Sequence, residues 1–183
     1  MIRRMPIHTA RLELIPATIE MLRAELRGPV ELQAVLGVEV PGTWPPDLFD
    51  ADAIQFTIAR LEEQVEPAAW WLHYFIRKAT PTSPAVVIGA GGYKGPPQEG
   101  TVEVGYSVLP EHRRQGYAAE ATQGLVAHAF AYPEVTRVIA QTLPELLPSI
   151  GVLEKCSFRF IGEGSEEGAI CFELMRADWT PSA

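Results

Sequence analysis

Arg113-Arg114-Gln115-Gly116-Tyr117 stands between an apolar run and an alanine-rich one, and these residue types suit the holding of an anion. The run before them, Val102-Glu103-Val104-Gly105-Tyr106-Ser107-Val108, has strand character. Leu109-Pro110 closes it, because proline lacks the N–H a continuing ladder needs. The run after them starts Tyr117-Ala118-Ala119-Glu120-Ala121 and places Ala118, Ala121, Leu125, Ala129 and Phe130 at helical spacing. Strand, basic turn, glycine and helix, in that order, gather the free N–H groups of a helix start at the positive end of its dipole. Phosphates bind at such places. Arg113 and Arg114 add charge, and Gly116 removes the Cβ that would hold a diphosphate off the backbone. The candidate seat is therefore the N–H groups of Gln115, Gly116, Tyr117, Ala118 and Ala119 with the two arginine side chains.

A second chemical feature is Glu103. A carboxylate among the apolar residues of a central strand either faces a cleft, where partial burial raises its pKa toward that of a general base, or lies in a solvated or salt-bridged position. Glu120, inside the helix pattern, reads as a structural hydrogen-bond acceptor. Competing chemistries find no support. The histidines His8, His73, His112 and His128 lack metal-ligand spacing, Ser107 sits in no nucleophile elbow, and there is no phosphate-binding P-loop. No metal is expected. The glycines of Ala85–Tyr93 precede Lys94-Gly95-Pro96-Pro97, which cannot start a helix, so they read as close sheet packing rather than a dinucleotide fingerprint.

The spacing Arg113-x-x-Gly116-x-Ala118 resembles the acyl-coenzyme A loop of the GNAT superfamily of N-acetyltransferases (Gln or Arg, two residues, Gly, one residue, Gly or Ala). With EVGYSVLPE before it, YAAEA after it and SIGVLEK later, the chain looks similar to the ribosomal-protein (Rim-type) branch, from Arg11 to about Trp179. The resemblance implies acetyl-CoA as co-substrate and direct attack of a primary amine on the thioester. It also implies pairing of the pantetheine with the backbone near Ser107 and Val108, and Glu103 as a base acting through water. The partner of the leaving thiolate is then Ser149, at the start of the last helix, where an N-cap role would explain it equally. Three positions depart from the pattern: Leu153 where many members have Tyr, Leu146 where Asn is usual, and Lys155-Cys156-Ser157-Phe158 in place of a Lys-x-Gly-Phe. The expected acceptor is a peptide or small-molecule amine: protein N-terminus, polyamine, amino acid or aminoglycoside. Leu146 motivates an alternative, a catalytically weak CoA-binding sensor of the same fold, and a ligand-free partner-binding module is a third reading.

The bounds agree. A chain of 183 residues, 47% hydrophobic and 21% charged, is expected to form a single soluble domain over 1–183 with its core at about 10–179. A net charge of −8 argues against non-specific nucleic-acid or anionic-membrane binding. Two cysteines, Cys156 and Cys171, form no disulfide framework and read as buried thiols of a reducing cytoplasm. Neither a secretory signal nor a membrane-spanning run is present, and a monomer or homodimer is expected.

The elements that must position these groups follow in order. After a loose lead-in over 1–9, strand patterns occupy Thr9–Pro16, Ala69–Arg77, Ala85–Tyr93, Val102–Val108, Val135–Thr142, Phe158–Ile161 and Ala169–Met175. Helices are expected at Ile19–Arg27 capped by Thr18, Ala53 to about Glu66 capped by Asp50 or Asp52, Tyr117 onward, and Ser149–Lys155. Residues 30–48 are mixed, with 40–49 reading as an irregular loop around Trp44, which with Phe49 either covers the core or lines an acceptor pocket. The fold class is α/β, a mixed, mostly antiparallel sheet flanked by helices. By the GNAT resemblance, its fourth and fifth strands, Val102–Val108 and Val135–Thr142, splay apart.

Overall fold

The computed structural model describes residues 5–47, 49–63 and 68–181. Thirteen strands and helices follow one another: β1 (Ile7–His8), β2 (Leu12–Pro16), α1 (Ile19–Glu25), α2 (Pro29–Leu36), α3 (Ala51–Glu62), β3 (Leu72–Arg77), β4 (Val86–Tyr93), β5 (Thr101–Val108), α4 (Tyr117–Phe130), β6 (Arg137–Thr142), α5 (Leu147–Lys155), β7 (Arg159–Glu163) and β8 (Ile170–Met175). The strands form one eight-stranded sheet in the order β1-β2-β3-β4-β5-β6-β8-β7. Every neighbouring pair is antiparallel except β5 and β6, which run parallel. The expected mixed, mostly antiparallel α/β sheet is what forms.

Side chains alternate across the strands and supply two cores. Leu12, Phe75, Val102, Val104 and Phe172 on one face pack with Leu125, Val126 and Leu153 of α4 and α5. Tyr74, Ile76 and Ala90 on the other pack with Leu22, Leu32, Ile54 and Leu61 of α1, α2 and α3. Each such fully buried apolar side chain contributes about 1.5–3 kcal/mol. The glycines of β4 serve close packing: a Cβ on Gly91 would strike the Gly105 carbonyl and come within 2.6 Å of the Phe75 ring.

Most elements follow local chemistry. Thr18 caps α1 by accepting from the Met21 N–H, and Asp50 caps α3 by accepting from the Ala53 N–H. Other stretches depart from expectation. The lead-in contains β1, which pairs with β2 through Ile7 and Leu14. Residues 29–36, at the start of the stretch read as mixed, form a helix: Pro29 starts α2, where its missing N–H costs nothing, and left-handed Gly37 ends it. β3 begins only at Leu72, because Ala68–Trp70 coil into a 3-10 turn. α3 starts at Ala51 and ends at Glu62; its expected extension over residues 64–66 lies outside the described residues.

The end of α5 shows what the Lys-x-Gly-Phe departure does. Phe158 N–H donates to the Leu153 carbonyl and Ser157 N–H to that of Glu154, each at 3.0 Å, the paired bonds of a Schellman stop. The stop requires a left-handed residue, and Ser157 supplies it at φ 65°. A side chain there costs about 1 kcal/mol relative to glycine. Ser157→Gly should therefore raise the unfolding free energy by about 0.5–1 kcal/mol in a urea titration, with the slope unchanged.

Candidate active site

β5 and β6 pair through Thr101–Arg137, Val102–Val138 and Glu103–Ile139, and then part. Beyond that point β5 remains bonded to β4 as far as Val108, and β6 to β8 as far as Thr142. The Lys94 N–H donates to the Glu103 carbonyl and the Leu109 N–H to that of Ile88, which fixes the alternation of β5. Backbone groups of Glu103, Gly105 and Ser107 therefore face β4, and those of Val104, Tyr106 and Val108 face the parting. Of the two residues expected to lend backbone there, only Val108 is turned toward the opening. Tyr106 and the Val108 N–H face the opening, whereas the Ser107 backbone is turned into the sheet opposite Ala90. A Cβ on Gly105 would meet nothing within 4 Å, so space lies beside the strand on the Glu103 face.

At the C-terminal end of β5 the chain makes the basic turn. Arg114 is left-handed at φ 61° and so is Gly116, the residue capping α4, at φ 82°. Alternation of this kind turns successive N–H groups toward one concavity. Among the described residues, the N–H groups of Gln115 through Ala119 have no acceptor; the first bonded one is Glu120, to the Gly116 carbonyl at 3.0 Å. Arg114 is exposed beside them. The Arg113 side chain points elsewhere: its Nε donates to the Val108 carbonyl at 2.9 Å and its Nη2 pairs with Asp47 at 2.6 Å. It ties the turn to the end of β5.

Two cations that local spacing could not reveal stand there instead. A Cβ on Gly116 would lie 3.3 Å from Arg11 Nη2 and 4.0 Å from Lys155 Nζ. Arg11 is held by Glu120 at 2.7 Å, donates to the Gln115 carbonyl at 2.9 Å, and lies over the Tyr117 ring at 4.4 Å. Burial alone would push Glu120 up, but hydrogen bonds from Thr9, the Arg11 N–H and the Arg11 guanidinium together hold it below the usual carboxylate range. Glu120 is a fastener between β2 and α4. The signal for Arg11 was absent because it enters from the far end of the chain. Lys155 was visible only as part of the SIGVLEK and Lys-x-Gly-Phe-like stretches, with nothing to place it beside Gly116.

Glu103 lies on the sheet face that α4 and α5 do not cover. Its Oε1 is 2.6 Å from Lys94 Nζ, and its Oε2 accepts from Gln141 Nε2 at 3.1 Å, so it is the salt-bridged strand carboxylate with one side open to the Gly105 space. Ser149 lies across the parting in the first turn of α5. It is not the N-cap: Pro148 is tolerated in the opening turn, so the helix starts at Leu147 and Leu146 occupies the cap with no side-chain bond. The Tyr106 hydroxyl donates to the Ser149 carbonyl at 3.2 Å and ties that turn to β5, and burial pushes the Tyr106 pKa up to about 12. Leu153 is fully in the core, and Leu146 is exposed. Cys156 and Cys171 are free and buried, Cys156 pushed up to about 11 by burial.

Residues 11–159 match the profile of the acetyltransferase (GNAT) domain. The chain belongs to the GNAT acetyltransferase family. It is 30% identical over 154 residues to the uncharacterized N-acetyltransferase YjdG of Bacillus subtilis (strain 168), covering 83% of this chain and 88% of that protein. The GNAT acetyltransferase of Bacillus anthracis superposes with a TM-score of 0.61 at 20% identity, over 93% of this chain and 98% of that one. Mycobacterium smegmatis RimJ, solved in complex with CoA-disulfide, superposes with a TM-score of 0.62 at 17% identity, over 91% and 83%. The fold is shared with both. GNAT enzymes use acetyl-CoA, and this GNAT chain offers features that fit it: an open row of N–H groups, a turn where Gly116 keeps the backbone bare, and a strand edge left unpaired. Among the described residues no helix is long and apolar enough to cross a membrane.

Glu120→Gln should destabilise the protein by about 2 kcal/mol, since it loosens charge-assisted bonds to Arg11. The folded carboxyl sits below its unfolded value of 4.5, so its contribution is complete above that pH and is lost as pH falls through the folded value. Melting temperatures of wild type and Glu120→Gln should therefore converge on acidification below about pH 4.5.

Proposed function

We propose that this enzyme transfers the acetyl group of acetyl-CoA to a primary amine by direct attack, with the N–H groups of Gln115 to Ala119 seating the diphosphate. The observation that carries the reading is that unsatisfied row at the head of α4, beside two parallel strands that part. Bound acetyl-CoA supplies an activated acyl carbon with a thiolate leaving group. The residues of this chain supply position and proton management. Arg11, Arg114 and Lys155 balance the charge around Gly116, and Arg113 keeps the turn closed on β5. The backbone of Tyr106 and the N–H of Val108 line the unpaired edge along which a pantetheine amide can add as a further strand would.

Glu103 acts as the base, taking a proton from the amine through a water in the Gly105 space. Lys94 holds one of its oxygens, and the other accepts from Gln141. The Ser149 hydroxyl, set at the other side of the parting by the Tyr106 bond, donates to the leaving thiolate. The acceptor approaches from the face that α4 and α5 leave uncovered; it is a peptide N-terminus or a small-molecule amine.

A second reading has its own observation. Leu146 places an exposed apolar side chain, with no hydrogen bond, where a polar contact to the donor is usual, and that suits a protein that binds CoA and turns over slowly. Thiol release from acetyl-CoA across peptides, polyamines, amino acids and aminoglycosides separates the two. Turnover with one class supports the enzyme, and tight binding with no turnover supports the sensor.

Two substitutions test the assignments. Gly116→Val places a branched side chain on a left-handed residue facing Arg11, and should raise the CoA dissociation constant on the order of 10-fold or more. Glu103→Gln should lower turnover on the order of 100-fold while calorimetric CoA binding stays unchanged. Full activity of Glu103→Gln across the pH range would remove Glu103 as the base.

A further inference from the structure

The transferase reading leaves unused a carboxylate buried on the other side of β3. Glu25, the last residue of α1, is 8% exposed. It accepts from the Trp44 indole Nε1 at 2.8 Å and from the Tyr74 hydroxyl. Both donors are neutral, and among the described residues no lysine, arginine or histidine forms an ion pair with it. Its place at the end of α1 adds the negative pole of that helix. Burial pushes its pKa up, against the two hydrogen bonds that favour the charged form.

Both carboxyl oxygens are thus held by neutral donors with no counter-charge, and there is room beside them for a cation. A cavity of about 300 Å³ opens between α1, α2, α3 and the Trp44 segment. Glu25 lines it together with Leu26, Pro29, Trp44, Phe49 and Ile54, and Arg27 and Asp50 stand at its rim. Asp50 is committed to capping α3. Arg27 is exposed. Most of the lining is apolar or aromatic, with Glu25 as its buried carboxyl and Trp44 as an aromatic ring of the kind that suits a cation.

We propose that this cavity binds an amphipathic ammonium, a primary amine carried on an aromatic or branched alkyl body, with Glu25 as its counter-ion and Trp44 as one wall. The site is separate from the donor seat. Tyr74 pairs with Ala90 and Ala90 with Ser107, which puts the cavity two strands from β5, roughly 10 Å along the sheet. It is nevertheless joined to the donor turn. The segment that carries Trp44 also places Thr43 against Glu111 and Asp47 against Arg113. The inference does not rest on the catalytic assignments, and CoA binding is read separately in its test.

The test is calorimetric titration of the whole chain, free of CoA, with 2-phenylethylamine, 2-phenylethanol and 3-phenylpropionate at neutral pH. The amine should bind at least about tenfold more tightly than its neutral and anionic counterparts. Glu25→Gln, which copies a protonated carboxyl, should weaken the amine by about tenfold or more and leave the alcohol unchanged. Ala51→Trp fills the cavity from an exposed position in the first turn of α3 and should abolish amine binding without lowering the melting temperature. Arg27→Gln should leave the amine affinity intact, since no internal cation is then removed. CoA affinity should stay within about threefold in all three variants. No heat from the amine, equal affinity for the three probes, or wild-type amine binding in Ala51→Trp would overturn the proposal. If Glu25→Gln unfolds, Ala51→Trp decides alone.

Discussion

Three residue pairs hold β5 to β6, and the pairing stops at Glu103. Each strand has a better partner on its other side: β5 stays bonded to β4 through Val108, and β6 to β8 through Thr142. Twisted strands committed to different neighbours diverge, and a parallel pair gains less per residue than the antiparallel ladders it would have to break. The result is an edge inside a sheet. The Tyr106 backbone and the Val108 N–H are left facing a gap in the middle of the molecule, where they would ordinarily be satisfied. An unpaired interior edge is costly to maintain without a ligand, and it is the feature on which the proposed donor site rests.

Around that edge the structure spends its strongest polar contacts on position. Arg113 bonds the Val108 carbonyl, Arg11 bonds Glu120 and the Gln115 carbonyl, and Tyr106 reaches the first turn of α5. These contacts join the end of β5, the heads of α4 and α5, and β2. None of them consumes an N–H of residues 115–119. The turn is therefore held from outside while its concave side stays free, which is what preorganised anion binding needs. The left-handed serine at the stop of α5 and the leucine at its cap cost some local stability, while Leu153 and Phe158 anchor the helix in the core.

Much of this was legible in the residues. Strand closure at Pro110, the helix start after Gly116 and the apolar spacing of α4 are local signals, and local geometry obeys them. The packing role of the β4 glycines could also be read, because what followed them could not start a helix. What could not be read depends on contacts between distant segments. Arg11 and Lys155 reach Gly116 only through the fold, Lys94 neutralises Glu103 only through the β4–β5 turn, and Glu25 meets Trp44 and Tyr74 only after α1 docks on β3. α2 is a different kind of miss. Its start at Pro29 and stop at Gly37 were both present, but a weakly one-sided apolar pattern left the segment reading as mixed.

The central claim is that a diphosphate sits on the peptide hydrogens where α4 begins. Nitrogen-15 amide spectra recorded during a CoA titration test it directly. Hydrogen bonds from phosphate oxygens should move the amide protons of Gln115, Gly116, Tyr117, Ala118 and Ala119 downfield together, more than any other stretch of the chain. Saturable CoA binding that leaves those five resonances in place would contradict it.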